Sequence, residues 1–404
     1  MALNFNDAQA PMTLEHLLSP LTVDEFLTNY WGQTFKHVPG VPDKFRHLFP
    51  WQTLNEALEQ HRLDFPRVRL TRDGERLQPA SYITYTHPGQ KRIVVPRLRY
   101  EKLTQELNRG ATLVLDAVDE LYEPLRALAE ALEVVFHERI QINSYASWKT
   151  SRGFDLHWDD HDVFILQVTG RKQWMVHGMT RPYPLAGDPK EQKPTEPPLW
   201  DHILEAGDLL YIPRGFWHVA YPLNEPTLHL TVGVHNRAGL DLLRWLVNRM
   251  RSSETFRMDL PRFATRETIQ AHLMQMRAEL LAEWDDDILN RYLTDLDESA
   301  VSRARLSLAC APGDSLPDTD MVVRLLAPRP LDLSVESGVV RFTAQKKKWR
   351  LAVEALPILR HLDQHRVCTV AELCEVAKSE VDERRVRIFL KELLMNGLVA
   401  IVEP

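Results

Sequence analysis

The stretch GFDLHWDDHDVFILQVTGRKQW, from Gly153 to Trp174, constrains this chain more than any other segment. It sets His157 and Asp159 one residue apart at the head of an alternating β-branched and aromatic run. Such a run reads as a strand, and residues two apart on a strand share a face. His218, 59 residues beyond Asp159 in GDLLYIPRGFWH, offers a third ligand. Two imidazoles and a carboxylate on a rigid β scaffold make the facial triad of non-heme Fe(II), whose open positions suit a bidentate oxo-acid and dioxygen. Asp160, His161 and Asp162 crowd the same segment. In a helix, His157 and His161 would form an i,i+4 pair of the zinc-hydrolase type, but Gly153 before it and VFILQV after it argue for a strand. Asp160 and Asp162 then read as a turn or solvent-facing pair. His161 reads as an exposed strand histidine or a substrate contact.

A second motif sharpens the reading. Gly207, Pro213, Gly215 and His218 follow the order G-x5-P-x-G-x2-H: a Gly-Asp turn, an LLYI strand and a tight Pro-Arg-Gly turn that delivers His218. This is the second motif of the cupin barrels. With the H-x-D arm upstream it resembles the 2-oxoglutarate-dependent oxygenases built on a double-stranded β-helix. The wording DVF-I-x-Q-x-x-G-x-x-x-W resembles the JmjC-type ribosomal oxygenases, and the resemblance covers most of the chain. It implies an α+β protein with a cupin/JmjC barrel. It also implies Fe(II) as the metal, 2-oxoglutarate and O2 as cosubstrates, and hydroxylation of a histidine or arginine side chain in a protein or peptide, foremost a ribosomal protein.

A dicarboxylate entering a partly dry barrel must meet a cation. Arg171 and Lys172 are neighbours and point to opposite sides of a strand; the family's register implies that Lys172 faces inward. The segment NSYASWKTSRGFDLH resembles the N-x-Y-x-T/S pattern of the histidine hydroxylases. By that resemblance Tyr145 donates its hydroxyl to the same carboxylate, with Asn143 a second contact and Ser147 a weaker one, although an Asn or Tyr in a strand commonly just packs. In TLHLTVGVHN, His229, Thr231 and Gly233 alternate in phase and share a face that should line the cavity. His229 is open between a hydrogen-bonded barrel histidine and a cosubstrate contact. Trp174 is expected in the core, and Trp158, between two ligands, should face away from them.

A chain of 404 residues, 44% hydrophobic, can bury a large core and holds two or three domains. Cys310, Cys368 and Cys374 form neither a C-x-x-C motif nor an even framework, so disulfides and zinc knuckles are not expected. No apolar run is long enough to span a bilayer, and MALNFNDAQAPMTLEHLLS lacks the order of a signal peptide, which predicts a cytoplasmic protein. A net charge of -7 argues against general nucleic-acid binding and suits a basic polypeptide substrate.

Four regions separate along the chain. Residues 1–100 read as a helical and β preface to the barrel, with TLEHLL, TVDEFLTNYW and WQTLNEALEQHR as helices, Thr22 or Asp24 as a cap, and a hairpin at the DG of FPRVRLTRDGERLQP. Residues 101–236 are the barrel: the amphipathic helix VDELYEPLRALAEALEVVF, a first strand at about Ile140, and the proline-rich GMTRPYPLAGDPKEQKPTEPPLW as a mouth insertion. Residues 237–300 turn helical in LDLLRWLVNRM and TIQAHLMQMRAELLAEW. The resemblance implies a homodimer through this region, against simple packing on the barrel. Residues 301–404 run from short strands into three helices and a β-wing, which resembles a winged helix. Arg384, Arg385 and Arg387 sit on its third helix, yet the region carries little net charge, and DNA binding is not expected. Three rivals remain: N-methyl-lysine demethylation, for which no aromatic cage is recognisable; hydroxylation of a biosynthetic peptide or small molecule; and a non-catalytic cupin serving in binding or assembly.

Overall fold

The computed structural model describes residues 12–86, 95–189, 192–313 and 315–402, which fall into two units, 12–236 and 237–402. The first begins with α1 (Leu14–Leu18) and α2 (Val23–Asn29), whose N-caps Thr13 and Thr22 accept from the N–H of His16 and Glu25, as a capping hydroxyl does. Next come β1 (Lys36–Val38) and α3 (Trp51–Gln60), then the hairpin β2 (Val68–Arg72) and β3 (Glu75–Arg76). Its turn residues Asp73 and Gly74 both have positive φ, 51° and 85°, as a type I′ turn requires. The pair β4 (Ile83–Thr86) and β5 (Val95–Leu98), α4 (Tyr100–Asn108), β6 (Thr112–Leu115) and α5 (Glu123–Phe136) lead into the barrel. Helix α5 buries Leu125, Leu128, Ala129 and Leu132, the stripe its three- and four-residue spacing predicts.

The barrel strands are β7 (Ile140–Ser147), β8 (Asp162–Thr169), β9 (Lys172–His177), β10 (Trp200–Leu204), β11 (Leu209–Ile212), β12 (Trp217–Pro222) and β13 (Thr227–Val234). An eight-stranded sheet runs β1-β11-β8-β13-β7-β6-β2-β3, and a three-stranded sheet runs β10-β9-β12. An isolated antiparallel bridge between His157 and His218 adds one rung beside β12. The chain thus shuttles between two sheets, and a cavity opens between them. Strand β8 is buried on both faces. Phe164, Leu166 and Val168 join the main core with Leu230 and Val232 of β13, while Val163 and Ile165 pack with Trp174 and Val176 of β9. That is why it reads as an unbroken apolar run; each such buried side chain contributes roughly 1.5–3 kcal/mol. The insertion between β9 and β10 contains no helix or strand among its described residues.

Two expectations change here. His157 and Asp159 do not share one continuous strand with VFILQV, because β8 begins only at Asp162. The carbonyl of Asp159 accepts from the N–H of Gly215 at 3.0 Å, so the segment wraps around the turn before β12 instead of extending. Nor is Asp162 solvent-facing. It is 1% exposed, and its carboxylate accepts from the Tyr211 hydroxyl at 2.7 Å and the Arg214 N–H at 2.9 Å.

The second unit holds α6 (Gly239–Met250), α7 (Glu254–Arg257), α8 (Arg266–Glu283) and α9 (Ile288–Ser299). Their small core is Leu246, Met250 and Ile288, and α8 buries no residue. There follow β14 (Val322–Leu325), β15 (Ser334–Glu336), β16 (Val339–Ala344), β17 (Lys347–Ala352), α10 (Leu356–His365), β18 (Val367–Thr369), α11 (Val370–Ala377), α12 (Glu383–Met395) and β19 (Val399–Val402). The sheets are β18-β14-β19 and β15-β16-β17. Leu359, Leu373, Val386 and Leu390 of the last three helices share a core with Val323 of β14 and Val399 of β19. Helix α9 is tied to the sheets, for Arg329 donates to Asp297 at 2.8 Å and the Lys346 N–H to the Glu298 carbonyl at 3.0 Å. Among the described residues no helix is long and apolar enough to cross a membrane.

Candidate metal centre

His157 comes from the bridge beside β12, Asp159 from the turn that follows it, and His218 from β12 itself. His157 Nε2 lies 3.9 Å from Asp159 Oδ1, and His218 Nε2 lies 3.5 Å from Asp159 Oδ2. One ligand atom of each residue falls within 4.8 Å of the other two. His157 Nδ1 meets the Asp155 carbonyl at 2.7 Å, and His218 Nδ1 meets the Phe216 carbonyl at 3.1 Å. A carbonyl only accepts, so each Nδ1 is engaged as a donor, and the Nε2 of each ring is the atom that faces Asp159. Burial alone would push the Asp159 carboxyl up, but His218, His157 and His161 hold it well below the usual carboxylate range. Two imidazoles and a carboxylate converging in this way fit a divalent metal of the Fe(II) class.

The adjoining cavity has a volume of about 420 Å³. From one sheet, the directly opposed pairs Tyr145–His229 and Asn143–Thr231 of β7 and β13 line it, and from the other Lys172 of β9 does. Lys172 is 4% exposed and makes no hydrogen bond or ion pair among the described residues; burial pushes its ammonium down to about 7. Arg171 is exposed and pairs with Glu225 through two contacts of 3.1 Å. His229 stacks on Tyr145, centroids 4.9 Å apart and planes within 5°. Burial, then the Lys172 charge, drives its imidazole well below the ordinary value and keeps it neutral. The His229 Nδ1 and the Trp174 Nε1–H are both buried without a hydrogen-bond partner among the described residues. Leaving such a group unsatisfied costs roughly 1–3 kcal/mol, so this wall is poised for a ligand rich in acceptors. Burial, then the charges of Asp116 and Asp159, raises the Tyr145 hydroxyl, which keeps its proton to donate.

Other positions differ from expectation. Asn143 Oδ1 accepts from the Ala117 N–H at 2.9 Å and Gln141 Nε2 at 3.2 Å, which braces Ala117 at a positive φ of 53°. The Ser147 hydroxyl is buried against Thr112 Oγ1 at 2.9 Å, off the cavity. Trp174 packs in the core but also lines the cavity, edge-on to His229 with centroids 5.4 Å apart. His161 is not on a strand. It is half-buried, stacks on His235 with centroids 4.3 Å apart, and holds Asp160 at 3.0 Å. A Cβ on Gly233 would meet it at 3.0 Å, so the glycine makes room for it. Arg69 also lines the cavity, fixed by a bidentate pair with Asp116 at 2.6 Å for both bonds. No motif near it signalled this role. Only the β2–β6–β7 pairing, Arg69 opposite Val114 and Val114 opposite Tyr145, brings it there.

The JmjC domain family matches residues 120–242. A protein of Drosophila grimshawi described as a bifunctional lysine-specific demethylase and histidyl-hydroxylase NO66 is 30% identical over 231 residues, covering 55% of this chain and 30% of that protein. Its counterpart in Drosophila yakuba is 30% identical over 253 residues, covering 58% and 34%. The chain therefore spans about a third of the length of these curated relatives. The crystal structure of Escherichia coli ribosomal oxygenase YcfD matches with a TM-score of 0.57 at 21% identity, covering 95% of this chain and 98% of that one. The same Escherichia coli protein in complex with cobalt and 2-oxoglutarate matches at 0.55 and 20% identity, covering 95% and 99%. Likeness at this identity establishes a shared fold, the JmjC/cupin barrel with mixed α and β surroundings.

Proposed function

We propose that this chain, whose residues 120–242 match the JmjC domain family, is an Fe(II)- and 2-oxoglutarate-dependent oxygenase. Its target is a histidine or arginine side chain of a protein, foremost a ribosomal protein. The observation that carries this reading is Lys172, a buried cation without a partner among the described residues, opening into the same cavity as His157, Asp159 and His218. A cation kept dry and unpaired fits the remote carboxylate of a dicarboxylic acid. The relatives support it, since one is described as a histidyl-hydroxylase and the other as a ribosomal oxygenase that takes up 2-oxoglutarate.

In this mechanism His157, Asp159 and His218 hold the metal. Fe(II), when bound, supplies a chelating centre for a 2-oxo acid and redox chemistry toward dioxygen. Lys172 neutralises the far carboxylate and the Tyr145 hydroxyl donates to it, while Asn143, Thr231 and His229 frame the same wall. Val163 and Ile165 add apolar lining to the same cavity. The carbon oxidised is selected by positioning over the triad rather than by acid–base chemistry. An acidic chain of net charge -7 favours encounter with a basic ribosomal protein, which would meet it in the cytoplasm.

The exposed apolar residues Leu273, Met274 and Leu281 of α8, which buries nothing, support a homodimer through residues 237–300. The order α10–β18–α11–α12–β19 supports a winged helix used for protein contact. Mass spectrometry of ribosomal proteins incubated with the protein, Fe(II) and 2-oxoglutarate tests the whole reading. A gain of one oxygen on histidine or arginine supports it. Loss of a methyl group from lysine would move it to demethylation, and absence of any 2-oxoglutarate turnover would overturn it.

A further inference from the structure

The C-terminal unit contains a second convergence of metal-ligating side chains. An imidazole nitrogen of His361, the thiol of Cys368 and a carboxylate oxygen of Glu372 lie within 4.8 Å of one another. The three come from three successive elements, α10, β18 and α11. Arg366, at a positive φ of 63°, ends the helix and turns the chain back so that Cys368 returns alongside His361. One helical turn past His361, His365 lies against it with centroids 4.3 Å apart and planes tilted by 39°, as i,i+4 neighbours can. Four donors thus fall within twelve residues, in the order H-x3-H-x2-C-x3-E.

Local structure explains only part of this arrangement. Glu372 completes a capping box, its Oε2 accepting from the Thr369 N–H at 2.6 Å, and that leaves Oε1 to another partner. The two imidazoles and the Cys368 thiol make no hydrogen bond among the described residues. Cys368 is 6% exposed and closes the inner side of the cluster, while His365 and Glu372 are exposed and give an ion access. Nitrogen, sulfur and a single carboxylate match the tetrahedral preference of Zn2+. They do not suit Ca2+ or Mg2+, which take oxygen shells. We propose that His361, Cys368 and Glu372, with His365 as the fourth donor, form a Zn2+ site that ties α10, β18 and α11 together. It is separate from the barrel triad and stabilises the C-terminal unit by binding the folded form.

The test uses the full chain, stripped of metal and titrated with Co2+. Thiolate-to-cobalt charge transfer gives a near-ultraviolet band only where sulfur coordinates, and the barrel triad has no sulfur. The band should persist when His157, Asp159 and His218 are all replaced by Ala, saturate at one equivalent per chain in that variant, and be bleached by Zn2+. It should vanish in Cys368→Ser and remain in Cys310→Ser and Cys374→Ser. His361→Gln, on a partly exposed helix face and compatible with folding, should weaken Co2+ binding by at least about 100-fold, since even lost outer-shell partners cost 10–100-fold. No band in the parent chain, a band that survives Cys368→Ser, or unchanged affinity in His361→Gln would overturn the assignment.

Discussion

His157 and His218 are joined by reciprocal backbone hydrogen bonds: the His157 N–H donates to the His218 carbonyl at 3.2 Å, and the His218 N–H to the His157 carbonyl at 2.7 Å. The bridge sets their imidazole centroids 4.4 Å apart, and the Gly215 N–H holds the Asp159 carbonyl on the same turn. The ligands are preorganised by main-chain hydrogen bonds, which truncating a ligand side chain leaves in place. His157→Ala, Asp159→Ala and His218→Ala should each lose iron and 2-oxoglutarate turnover while keeping the circular dichroism of the parent. Only the metal-dependent stabilisation should disappear, about 2.7 kcal/mol at a metal concentration 100 times Kd. Decarboxylation of 2-oxoglutarate by the triple variant would refute the site.

Lys172 carries a second expectation. Taking a cation away from a buried carboxylate leaves a loss on the order of 3–5 kcal/mol, so Lys172→Ala should weaken 2-oxoglutarate binding by about two to three orders of magnitude at ~1.4 kcal/mol per decade. Lys172→Arg should recover part of it, and Arg171→Ala, on the exposed side, should change nothing. Lys172→Met should leave the ligand-free protein as stable as the parent or more so, because it removes a desolvated charge. Calorimetric titration with 2-oxoglutarate and thermal melts of the same variants decide both points.

The pH dependence follows from the same residue. Free Lys172 sits at about 7 instead of near the ordinary lysine value of 10.5 because of burial; a bound carboxylate favours the ammonium and raises that value. Affinity for 2-oxoglutarate should therefore be flat below about pH 7 and fall by up to about tenfold per unit above it. For folding the sign is opposite. The unfolded chain holds this proton up to about pH 10.5 and the folded chain does not, so the Lys172 penalty is full below pH 7 and fades as pH rises to 10.5. Binding isotherms from pH 6 to 9 on the parent and Lys172→Ala test this; a slope retained in the variant would assign it elsewhere.

Asp162 braces the turn that delivers His218. Asp162→Ala strands the Tyr211 hydroxyl and the Arg214 N–H in the interior, at a cost of about 1–3 kcal/mol each. The melting temperature should fall clearly, and metal affinity should weaken by about 10–100-fold as the support of the ligand turn is lost. Asp162→Asn keeps an acceptor and should do less harm to both. Iron titrations beside thermal melts would show it, and a variant with normal melting and normal iron affinity would contradict the bracing role.

Spacing along the chain was sufficient for whatever depends on neighbours. The Asp73–Gly74 turn, the stripe of α5 and the turn before His218 are legible because local conformational preference and short-period alternation specify them, whereas the convergence of His157 and Asp159 with His218 is legible only through the two motifs and the family they resemble. Alternation also sets Arg171 and Lys172 on opposite sides, and the register of the resembled family, not alternation, chose Lys172 for the cavity and left Arg171 to Glu225. Tertiary structure decided the rest. Asp162 reads as one more charge in a polar run until Tyr211, 49 residues away, donates to it in the interior. Arg69 reaches the cavity wall through pairing of β2, β6 and β7, and Ser147 leaves that wall for Thr112. Trp174 serves core and cavity at once because β9 packs with one sheet and faces the other. In each case the deciding partner is dozens of residues distant, and hydrogen-bond satisfaction of a buried group is settled only when strands far apart in the chain are brought into register.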